Sequence, residues 1–506
     1  MCGILFTTST KTSEFIQCFD TLSNRGPDDS NVIFHDKFTM GHTRLAIVKP
    51  ANNAQPMKHG NWRLIFNGEI YNNMDATSIL TNLDKYGPLE TPAHLDGVFA
   101  YVLYNVDTNE FYAARDSVGV IPLYTGFTGK HRWFASELKA LKFCEEVDIV
   151  KPGTIYSSKE RWFKRFTKRD SYPIPTVSTH LPITIKNILT MAVRKRLPNV
   201  PWGVFLSGGL DSSIIAGILT TIKLPKSYPT IHTFTIGLEG SPDVEMARKQ
   251  SAFIAKRCDT IHHEYTYTVQ EGIDMLEQTI YAIETYDVTT VRASVPQLIL
   301  AAIIKKHGIK VMLSGEGSDE LFGGYLYNKF APTPLELHEE CIRKMMDIHY
   351  YDCARANKTC ASVGVECRVP FLDKAFVHYA LSINPTYKMS DTMMEKQVLR
   401  EAFQDVLHPD IYNRTKAQFS DAVGSKWIDG LKNYAEKKYK TMNHNYTYQP
   451  PQTKEALLYR DIFNSYFPVG ENTCKYHHNT VACSSSTAHG WSKFESDPSA
   501  KSLTTT

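Results

Sequence analysis

Two short stretches carry residue types that bind phosphate and metal ions. In the first, GVFLSGGLDSSII at 203–215, an apolar strand leads through Ser207, Gly208 and Gly209 into a helix. Backbone N–H groups at such a turn face a helix N-terminus, which makes an anion site. The lysine that common nucleotide-binding loops place before their Ser/Thr is missing from this stretch. A serine-capped connection without any ligand would have the same pattern.

The second stretch, KVMLSGEGSDELFGGY at 310–325, repeats the order of apolar strand, Ser-Gly and acidic helix start. Its acidic residues are Glu316, Asp319 and Glu320. Carboxylates at a helix N-terminus can simply interact with the helix dipole. Such crowding of negative charge is costly in isolation, however, and is favourable around a cation and phosphates. With Asp211 of the first stretch, these residues predict metal-nucleotide chemistry.

The length and composition of the chain limit the kinds of protein that it can be. The 506 residues carry 56 basic and 53 acidic side chains, a net charge of +3, and 42% of them are hydrophobic. These values predict two or three globular domains and require neither a nucleic-acid nor a membrane partner. The apolar run LILAAII at 298–304 is shorter than the roughly 20 residues of a membrane span, so we expect a buried helix. No secretory pattern is evident at the N-terminus, and a cytoplasmic location is expected.

The cysteines and histidines do not form a metal-binding pattern. The ten cysteines include no CxxC pair, which is typical of free thiols in a long chain without a secretory signal. The adjacent pairs His262/His263 and His477/His478 have no further spaced ligands beside them. Neither residue type therefore predicts a zinc site.

The hydrophobic pattern changes along the chain. Residues 2–170 contain alternating apolar strands with Gly/Asn/Asp turns, which predicts a β-rich domain. A proline-bearing stretch at 171–184 interrupts that pattern and is predicted as a linker. Apolar strands alternate with helical segments over 185–470, as in a parallel α/β sheet. The Ser/Thr-rich end at 471–506 is predicted to be a partly disordered tail.

Several motifs resemble one enzyme family. SGGLDSS resembles the pyrophosphate loop of the ATP-pyrophosphatase superfamily, and SGEGSDELFGGY narrows the resemblance to the asparagine synthetase branch. MCGI, NRGPD, GHTRLAIV, NGEIYN, VECRVPFLD and NRTKAQFSDAVG follow in the family's order, so the resemblance covers roughly residues 2–495. It implies an α+β N-terminal αββα Ntn-hydrolase-like domain of the class II glutamine amidotransferases. An α/β parallel-sheet ATP-pyrophosphatase domain with a helical C-terminal part would follow.

For the N-terminal domain, the resemblance implies glutamine hydrolysis. Cys2 would be the nucleophile after removal of Met1, with its own α-amino group as the base. Asn67 and the backbone N–H of Gly68 would form the oxyanion hole. The implied glutamine-binding residues are Arg44, Leu45, Ala46, Ile47, Val48, Asn67, Gly68, Glu69 and Asp96. From the residues alone, Arg44 and Asp96 could equally be ordinary turn residues.

For the C-terminal domain, the resemblance implies synthesis of asparagine from aspartate and glutamine with ATP and Mg²⁺. The intermediate would be β-aspartyl-AMP, the other products glutamate, AMP and pyrophosphate, and ammonia made at Cys2 would pass to the synthetase site. Glu316 would support formation and aminolysis of the adenylate, and Lys416 would offset charge on the phosphates. The implied metal ligands are Asp211 and Asp319. The implied ATP-binding residues are Leu206, Ser207, Gly208, Gly209, Asp211, Ser212, Ser213, Ile236, Ser314 and Gly315.

Some assignments stay open at this level. Asp352 and Arg355, three apart on a predicted helix, could contribute to the site, although such a spacing is more often a surface pair. The expected partners are the small-molecule substrates and a second copy of the chain. Rival interpretations are a ligase for another carboxylate, a synthetase that uses only ammonia, and a binding or storage protein. The second is disfavoured by the intact set Cys2, Arg44, Asn67 and Asp96, and the third by the acidic clusters.

Overall fold

The computed structural model describes residues 1–48, 54–72, 76–167, 176–225, 227–389, 394–415, 425–476 and 481–491. The chain forms two compact units, and each contains segments that are distant in sequence. The first unit comprises Met1–Ser171, Cys360–Glu366 and Phe463–Cys474. The second comprises Tyr172–Thr359, Cys367–Ile462 and Lys475–Thr506. The domain limits read from the sequence stay predictions.

In the N-terminal part of the first unit, the described residues form two six-stranded antiparallel sheets and two α-helices. One sheet has the strand order β10-β8-β9-β1-β3-β2, and the other has the order β12-β11-β7-β6-β5-β4. The strands are β1 (Gly3–Thr7), β2 (Asp29–His35), β3 (Phe38–Arg44), β4 (Met57–His59), β5 (Trp62–Ile70), β6 (Gly97–Asn105), β7 (Phe111–Arg115), β8 (Tyr124–Thr128), β9 (His131–Ala135), β10 (Glu146–Ile149), β11 (Thr154–Ser157) and β12 (Trp162–Arg165). The helices are α1 (Thr12–Phe19) and α2 (Thr77–Glu90).

Aromatic side chains fill the space between the two sheets. Phe6 of β1 contacts Tyr104 of β6 and Phe111 of β7, with ring centroids 6.1 and 5.1 Å apart. On the outer faces, α1 packs through Phe15 against Trp133 of β9, and α2 contributes to the core of the second sheet. Alternation of apolar and polar residues along the strands makes one face of each sheet available for this packing. The predicted αββα layering is confirmed.

Later parts of the chain belong to this first unit. Gly470 lies so close to Leu138 that a Cβ on the glycine would come 2.7 Å from the leucine side chain. The turn Glu471–Thr473 packs against β10. Residues from far along the sequence therefore complete the first unit.

The second unit is built on a five-stranded sheet with the order β15-β14-β13-β16-β17. Parallel pairing joins β13 to β14 and β16, and β14 to β15, which confirms the predicted parallel α/β sheet. The strands are β13 (Trp202–Phe205), β14 (Ile231–Leu238), β15 (Thr260–Tyr267), β16 (Val311–Leu313) and β17 (Glu366–Arg368). The helices before β17 are α3 (Leu181–Arg194), α4 (Leu210–Leu219), α5 (Pro242–Ala255), α6 (Val269–Asp274), α7 (Leu276–Ile283), α8 (Val288–Lys306), α9 (Ser318–Phe322), α10 (Pro334–Asp347) and α11 (Asp352–Ala361).

The predicted helical C-terminal part is also present. Its helices are α12 (Lys374–Ser382), α13 (Gln397–Phe403), α14 (Pro409–Tyr412), α15 (Ser425–Lys438), α16 (Lys454–Tyr466) and α17 (Ser486–His489). Within the described ranges, α8 is long and apolar enough to cross a membrane by length and composition, but 72% of that window is buried. The run LILAAII lies in α8, as expected for a core helix.

The topology places both predicted phosphate-binding stretches at one edge of this sheet. β13 and β16 are parallel neighbours, with Val204 opposite Leu313. The chain leaves β13 towards α4 and leaves β16 towards α9. Ligands of open α/β sheets bind at the carboxyl ends of the strands, where these two loops begin.

Candidate active sites

The loop after β13 has the geometry of an anion-binding turn. Gly208 has a φ of 77°, and a Cβ there would come 2.4 Å from the carbonyl oxygen of Asp243, so a larger residue would not fit. The hydroxyl oxygens of Ser207 and Ser212 lie 3.0 Å apart, and Ser212 Oγ also donates to the carbonyl of Gly209 at 3.2 Å. The turn therefore holds two hydroxyl groups beside the first turn of α4.

The loop after β16 packs directly against the first loop. A Cβ on Gly315 would come 2.8 Å from both the carbonyl carbon of Asp211 and the backbone nitrogen of Ser212. Only glycine allows this approach. The two acidic stretches recognised in the sequence are thus joined in a single site.

Lys396 lies between the two predicted metal ligands. Its Nζ is 2.7 Å from both carboxylate oxygens of Asp211 and 2.6 Å from Oδ1 of Asp319. The side chain is buried, and a Cβ on Gly324 would come 2.0 Å from its Cε, so the glycine leaves room for the lysine. Sequence reasoning missed Lys396 because no local motif connects it to either aspartate.

These loops line a cavity of about 210 Å³ within the second unit. Lys396, Glu316 and Asp319 also form part of its wall. The predicted ATP-binding residues in the wall are Leu206, Ser207, Gly209, Asp211, Ser212, Ile236, Ser314 and Gly315. The other two predicted ATP-binding residues are not part of the wall. Ser213 is fully buried beside the loop, and Gly208 forms the turn of the loop with its positive φ. Lys416 lies outside the described residues.

Arg355 links the acidic groups on another side of this cavity. Its Nη2 donates to Glu316 Oε2 at 2.9 Å and to Asp352 Oδ1 at 2.6 Å. Its Nη1 donates to Gln297 Oε1 at 2.9 Å. Asp352 and Arg355 are therefore not a surface pair, the arrangement that their spacing more often indicates. Arg355 is only 5% exposed and lines the cavity. Spacing on a helix does not show which face is covered.

Burial and crowding change the acidity of the cavity's carboxyl groups. Burial, together with the charges of Asp352 and Asp319, raises the pKa of Glu320 to about 8. Burial also raises the pKa of Glu316, although Arg355 opposes the shift. The site therefore has a surplus of acidic groups that favours binding of additional cations.

The arrangement of Asp211 and Asp319 fits Mg²⁺. Both carboxylates lie within 2.7 Å of the same ammonium nitrogen, so they converge on one small region. In the described part of the chain, no cluster of three or more His, Cys, Asp or Glu side chains could hold a metal by itself. That is compatible with Mg²⁺, which is usually held by one or two carboxylates together with substrate phosphates and water.

Part of the predicted tail also lines the cavity. Ala482 and Cys483 belong to its wall, and Arg343 Nη2 donates to the carbonyl of Cys483 at 2.9 Å. Residues 471–476 and 481–491 of the predicted tail are described, and the others lie outside the described residues. The Ser/Thr-rich composition of this segment did not indicate that part of it lines the site.

Cys2 is partly buried and lies immediately before β1. Burial raises the pKa of its thiol, while the positive charge of the N-terminus and a hydrogen bond from the backbone of Leu45 lower it. Arg25 Nε donates to the carbonyl of Cys2 at 2.8 Å, and its Nη1 pairs with Glu137 Oε1 at 2.6 Å. Arg25, part of the NRGPD motif, therefore fixes the backbone that carries the thiol.

Asn67 and Gly68 lie next to each other near the end of β5. Asn67 is fully buried, and among the described residues neither its amide oxygen nor its amide nitrogen has a hydrogen-bond partner. Gly68 has a φ of 131°, and a Cβ there would come 2.0 Å from the carbonyl oxygen of Val98. Buried amides without partners are uncommon, and a ligand oxygen is one group that would satisfy Asn67.

Asp28, which also belongs to the NRGPD motif, positions the predicted glutamine-binding loop. Asp28 accepts a hydrogen bond from the backbone N–H of Ala46 at 2.7 Å, and its own N–H donates to the carbonyl of Arg44 at 3.0 Å. Leu45 and Ile47 are buried, whereas Val48 is exposed. The NRGPD motif is recognisable in the sequence, but nothing in its residue types or spacing indicates a role for Asp28 or Arg25.

The remaining predicted residues of this site lie at the β5–β6 end. The charge of Glu69 acts on the Cys2 thiol, so the structure brings these two groups together. The carbonyl of Asp96 accepts a hydrogen bond from the N–H of Tyr71 at 2.7 Å, just beyond the end of β5. Strand pairing with Gly97 opposite Ile70 thus places Asp96 beside the strand that carries Asn67.

Replacing Asn67 by alanine is expected to reduce glutamine hydrolysis by about 10²- to 10³-fold, the usual effect of losing one oxyanion donor. The measurement is glutamate release at saturating glutamine. Asn31→Ala, a change on the exposed strand β2, is the matched control and should retain the parent rate. An Asn67→Ala protein that hydrolyses glutamine at the control rate would remove Asn67 from the oxyanion hole.

Comparisons with known proteins cover both units. The family model for Asparagine synthase matches residues 184–334 and 329–491, and that for Glutamine amidotransferase domain matches residues 1–152. Glutamine-hydrolysing asparagine synthetase 1 of Lotus japonicus is 41% identical and covers 97% of this chain and 91% of its own length. Glutamine-hydrolysing asparagine synthetase 3 of Arabidopsis thaliana is 42% identical over 97% and 92% of the two chains, and the Sandersonia aurantiaca enzyme is 42% identical over 92% and 97%.

Proposed function

The chain belongs to the asparagine synthetase family, and from that premise we propose a reaction sequence for its two sites. The chain is a ligase that makes asparagine from aspartate, with glutamine as amido donor and ATP as co-substrate. In the proposed sequence, aspartate is first activated as β-aspartyl-AMP and ammonia from glutamine then displaces AMP. The supporting observation is the cavity in which both acidic loops meet around Lys396.

In the first step, a side-chain carboxylate oxygen of aspartate attacks the α-phosphorus of ATP. The bond between the α-phosphorus and the bridging oxygen to the β-phosphate breaks, and pyrophosphate leaves. The backbone N–H groups and serine hydroxyls of the loop at 207–213 would bind the phosphates, and Lys396 would offset their charge. Asp211 and Asp319 would hold Mg²⁺, which supplies further neutralisation of the phosphate charge.

In the second step, ammonia attacks the acyl carbon of the adenylate and AMP leaves with one aspartate oxygen. The nitrogen must lose a proton as the amide forms. Glu316 is proposed to support this step, since burial raises the pKa of its carboxyl group and Arg355 fixes its position. Arg355 and Lys344 would supply positive charge in the same cavity for the α-carboxylate of aspartate.

Ammonia would be made at Cys2. After removal of Met1, the free α-amino group of Cys2 takes the thiol proton, and the sulfur attacks the side-chain amide carbon of glutamine. Asn67 and the N–H of Gly68 stabilise the oxyanion, ammonia leaves, and water hydrolyses the thioester to glutamate. Passage of that ammonia to the synthetase site, without release, is part of the proposal.

An isotope experiment tests the adenylate step. Aspartate labelled with heavy oxygen in its side-chain carboxylate should transfer one labelled oxygen to AMP, because the attacking oxygen stays with the α-phosphorus when the amide forms. Mass spectrometry of the nucleotide measures the transfer, and aspartate labelled in the α-carboxylate is the control that should give unlabelled AMP. Labelled inorganic phosphate with ADP as coproduct would contradict the adenylate.

A further inference from the structure

Arg400 connects two segments beside the synthetase cavity. Its Nε donates to the carbonyl of Glu395 at 2.9 Å, and its Nη2 pairs with the Glu395 carboxylate at 2.9 Å. Its Nη1 donates to the carbonyls of Ile411 at 3.1 Å and Tyr412 at 2.6 Å, and its Nη2 donates to the carbonyl of Arg414 at 2.8 Å. All five N–H donors of this buried guanidinium are thus used, and they tie residue 395 to residues 411–414.

Arg414 continues this connection to the phosphate loop. Its Nη1 donates to the carbonyl of Gly208 at 3.2 Å, and its Nη2 pairs with the carboxylate of Asp243. Asp243 is 8% exposed and lies in the first turn of α5. The guanidinium of Arg414 therefore joins the 411–414 segment, the phosphate loop and α5 at one point.

The two arginines hold different parts of the cavity wall. Arg400 holds Glu395, the residue immediately before Lys396. Arg414 holds Gly208, whose positive φ shapes the turn that would receive the phosphates. Because Arg414 is itself held through its carbonyl by Arg400, a single chain of hydrogen bonds runs from Glu395, the neighbour of Lys396, to the phosphate loop.

We propose that Arg400 and Arg414 are positioning residues that hold Lys396 and the phosphate loop at a fixed separation for activation of aspartate by ATP. This inference rests on the proposed function of the cavity. A planar guanidinium with several fixed donors suits this task, and a lysine offers only a single charged nitrogen. The arginines act through Lys396 and the loop and take no part in the bond changes.

The ion pair of Arg414 depends on ionisation of Asp243. Burial raises the pKa of Asp243 to about 6, against the opposing effect of Arg414. The carboxylate is charged above that pH and pairs with Arg414, whereas it becomes neutral as the pH falls through about 6 and the charged pair is lost. The other titratable or charged groups on α5 and on the elements packed against it are Glu245, Arg248, Lys249, His232, His262, His263, Glu264, His408, Asp410 and Asp211.

The test uses aspartate-dependent exchange of labelled pyrophosphate into ATP, because this assay needs no nitrogen donor. Arg414→Gln should raise the KM for ATP by about 10- to 100-fold, the effect of losing a partly buried charge-assisted pair. Arg414→Lys should restore little of that loss. Arg248→Gln, which removes an exposed pair on the outer side of α5, is the control and should stay within about twofold of wild type.

A pH series separates positioning from a merely structural role. In the wild type, the KM for ATP should rise as the pH falls through about 6, whereas Asp243→Asn should show a raised KM with little dependence on pH over that range. Glutamine hydrolysis, measured on the same preparations, should match wild type. An Arg414→Gln KM within twofold of wild type, or an unchanged acid response in Asp243→Asn, would overturn the inference. Wild-type protein without any exchange would overturn the proposed reaction and the inference with it.

Discussion

Replacing Cys2 by alanine is expected to abolish asparagine synthesis from glutamine and to leave synthesis from added ammonium near the wild-type rate. The thiol is the proposed nucleophile that releases ammonia from glutamine, and an alanine side chain cannot form the thioester. The synthetase cavity lies in the second unit, and its lining does not include Cys2. Asparagine formation is measured with each nitrogen source in parallel.

A cysteine elsewhere in the chain provides the control for this experiment. Cys258, in the second unit, contacts the carbonyl of Ile254 and lies outside the cavity, so Cys258→Ala should retain both activities. Equal loss with glutamine and with ammonium in Cys2→Ala would contradict the assignment of the nucleophile. Mass spectrometry of active protein should also show that Met1 has been removed, because a peptide bond to Met1 would occupy the α-amino group that serves as base.

Replacing Asp211 or Asp319 by asparagine is expected to reduce asparagine synthesis by about 10²- to 10⁴-fold with either nitrogen source. Each change removes one of the two carboxylates proposed to hold Mg²⁺ against the phosphates, and also removes one charge that binds Lys396. The amide is nearly the same size as the carboxylate, so the fold should be kept. Synthesis is measured as pyrophosphate and asparagine released together.

The same variants should still hydrolyse glutamine, because Cys2 and its neighbours lie in the first unit. Asp405→Asn is the matched control, since Asp405 is exposed and pairs with Lys186 at the surface. Normal synthesis by either Asp211→Asn or Asp319→Asn would show that its carboxylate is not needed for metal binding.

The sequence predicted those parts of the site in which chemistry and spacing are local. The turn at Ser207–Gly209 is predicted by the change from strand to helix around glycine, and the structure has β13, the turn and α4 in that order. The alternation of strands and helices predicted a parallel α/β sheet, which the structure confirms. That β13 and β16 are neighbours in it, so that both loops leave the same edge, was not predicted and is seen only in the structure.

Groups that meet from distant positions could not be found in this way. Lys396 is separated by 185 positions from Asp211, and no periodicity connects the two. Likewise, a spacing of three on a helix is more often that of a surface pair, and it does not show that Arg355 is buried. Such contacts depend on the paths of the loops at the edge of the sheet. Tertiary packing determines these paths.

Two segments of the first compact unit come from late in the sequence. Glu366, whose carboxylate lies 3.2 Å from the N-terminal nitrogen of Met1, belongs to a segment that follows much of the second unit in the chain. The segment Phe463–Cys474 follows later still. A ribosome releases residues 1–171 first, but their unit can reach its full set of contacts only when residue 474 has emerged. During translation, the unit that carries the predicted glutamine site is therefore completed only after most of the second unit has been made.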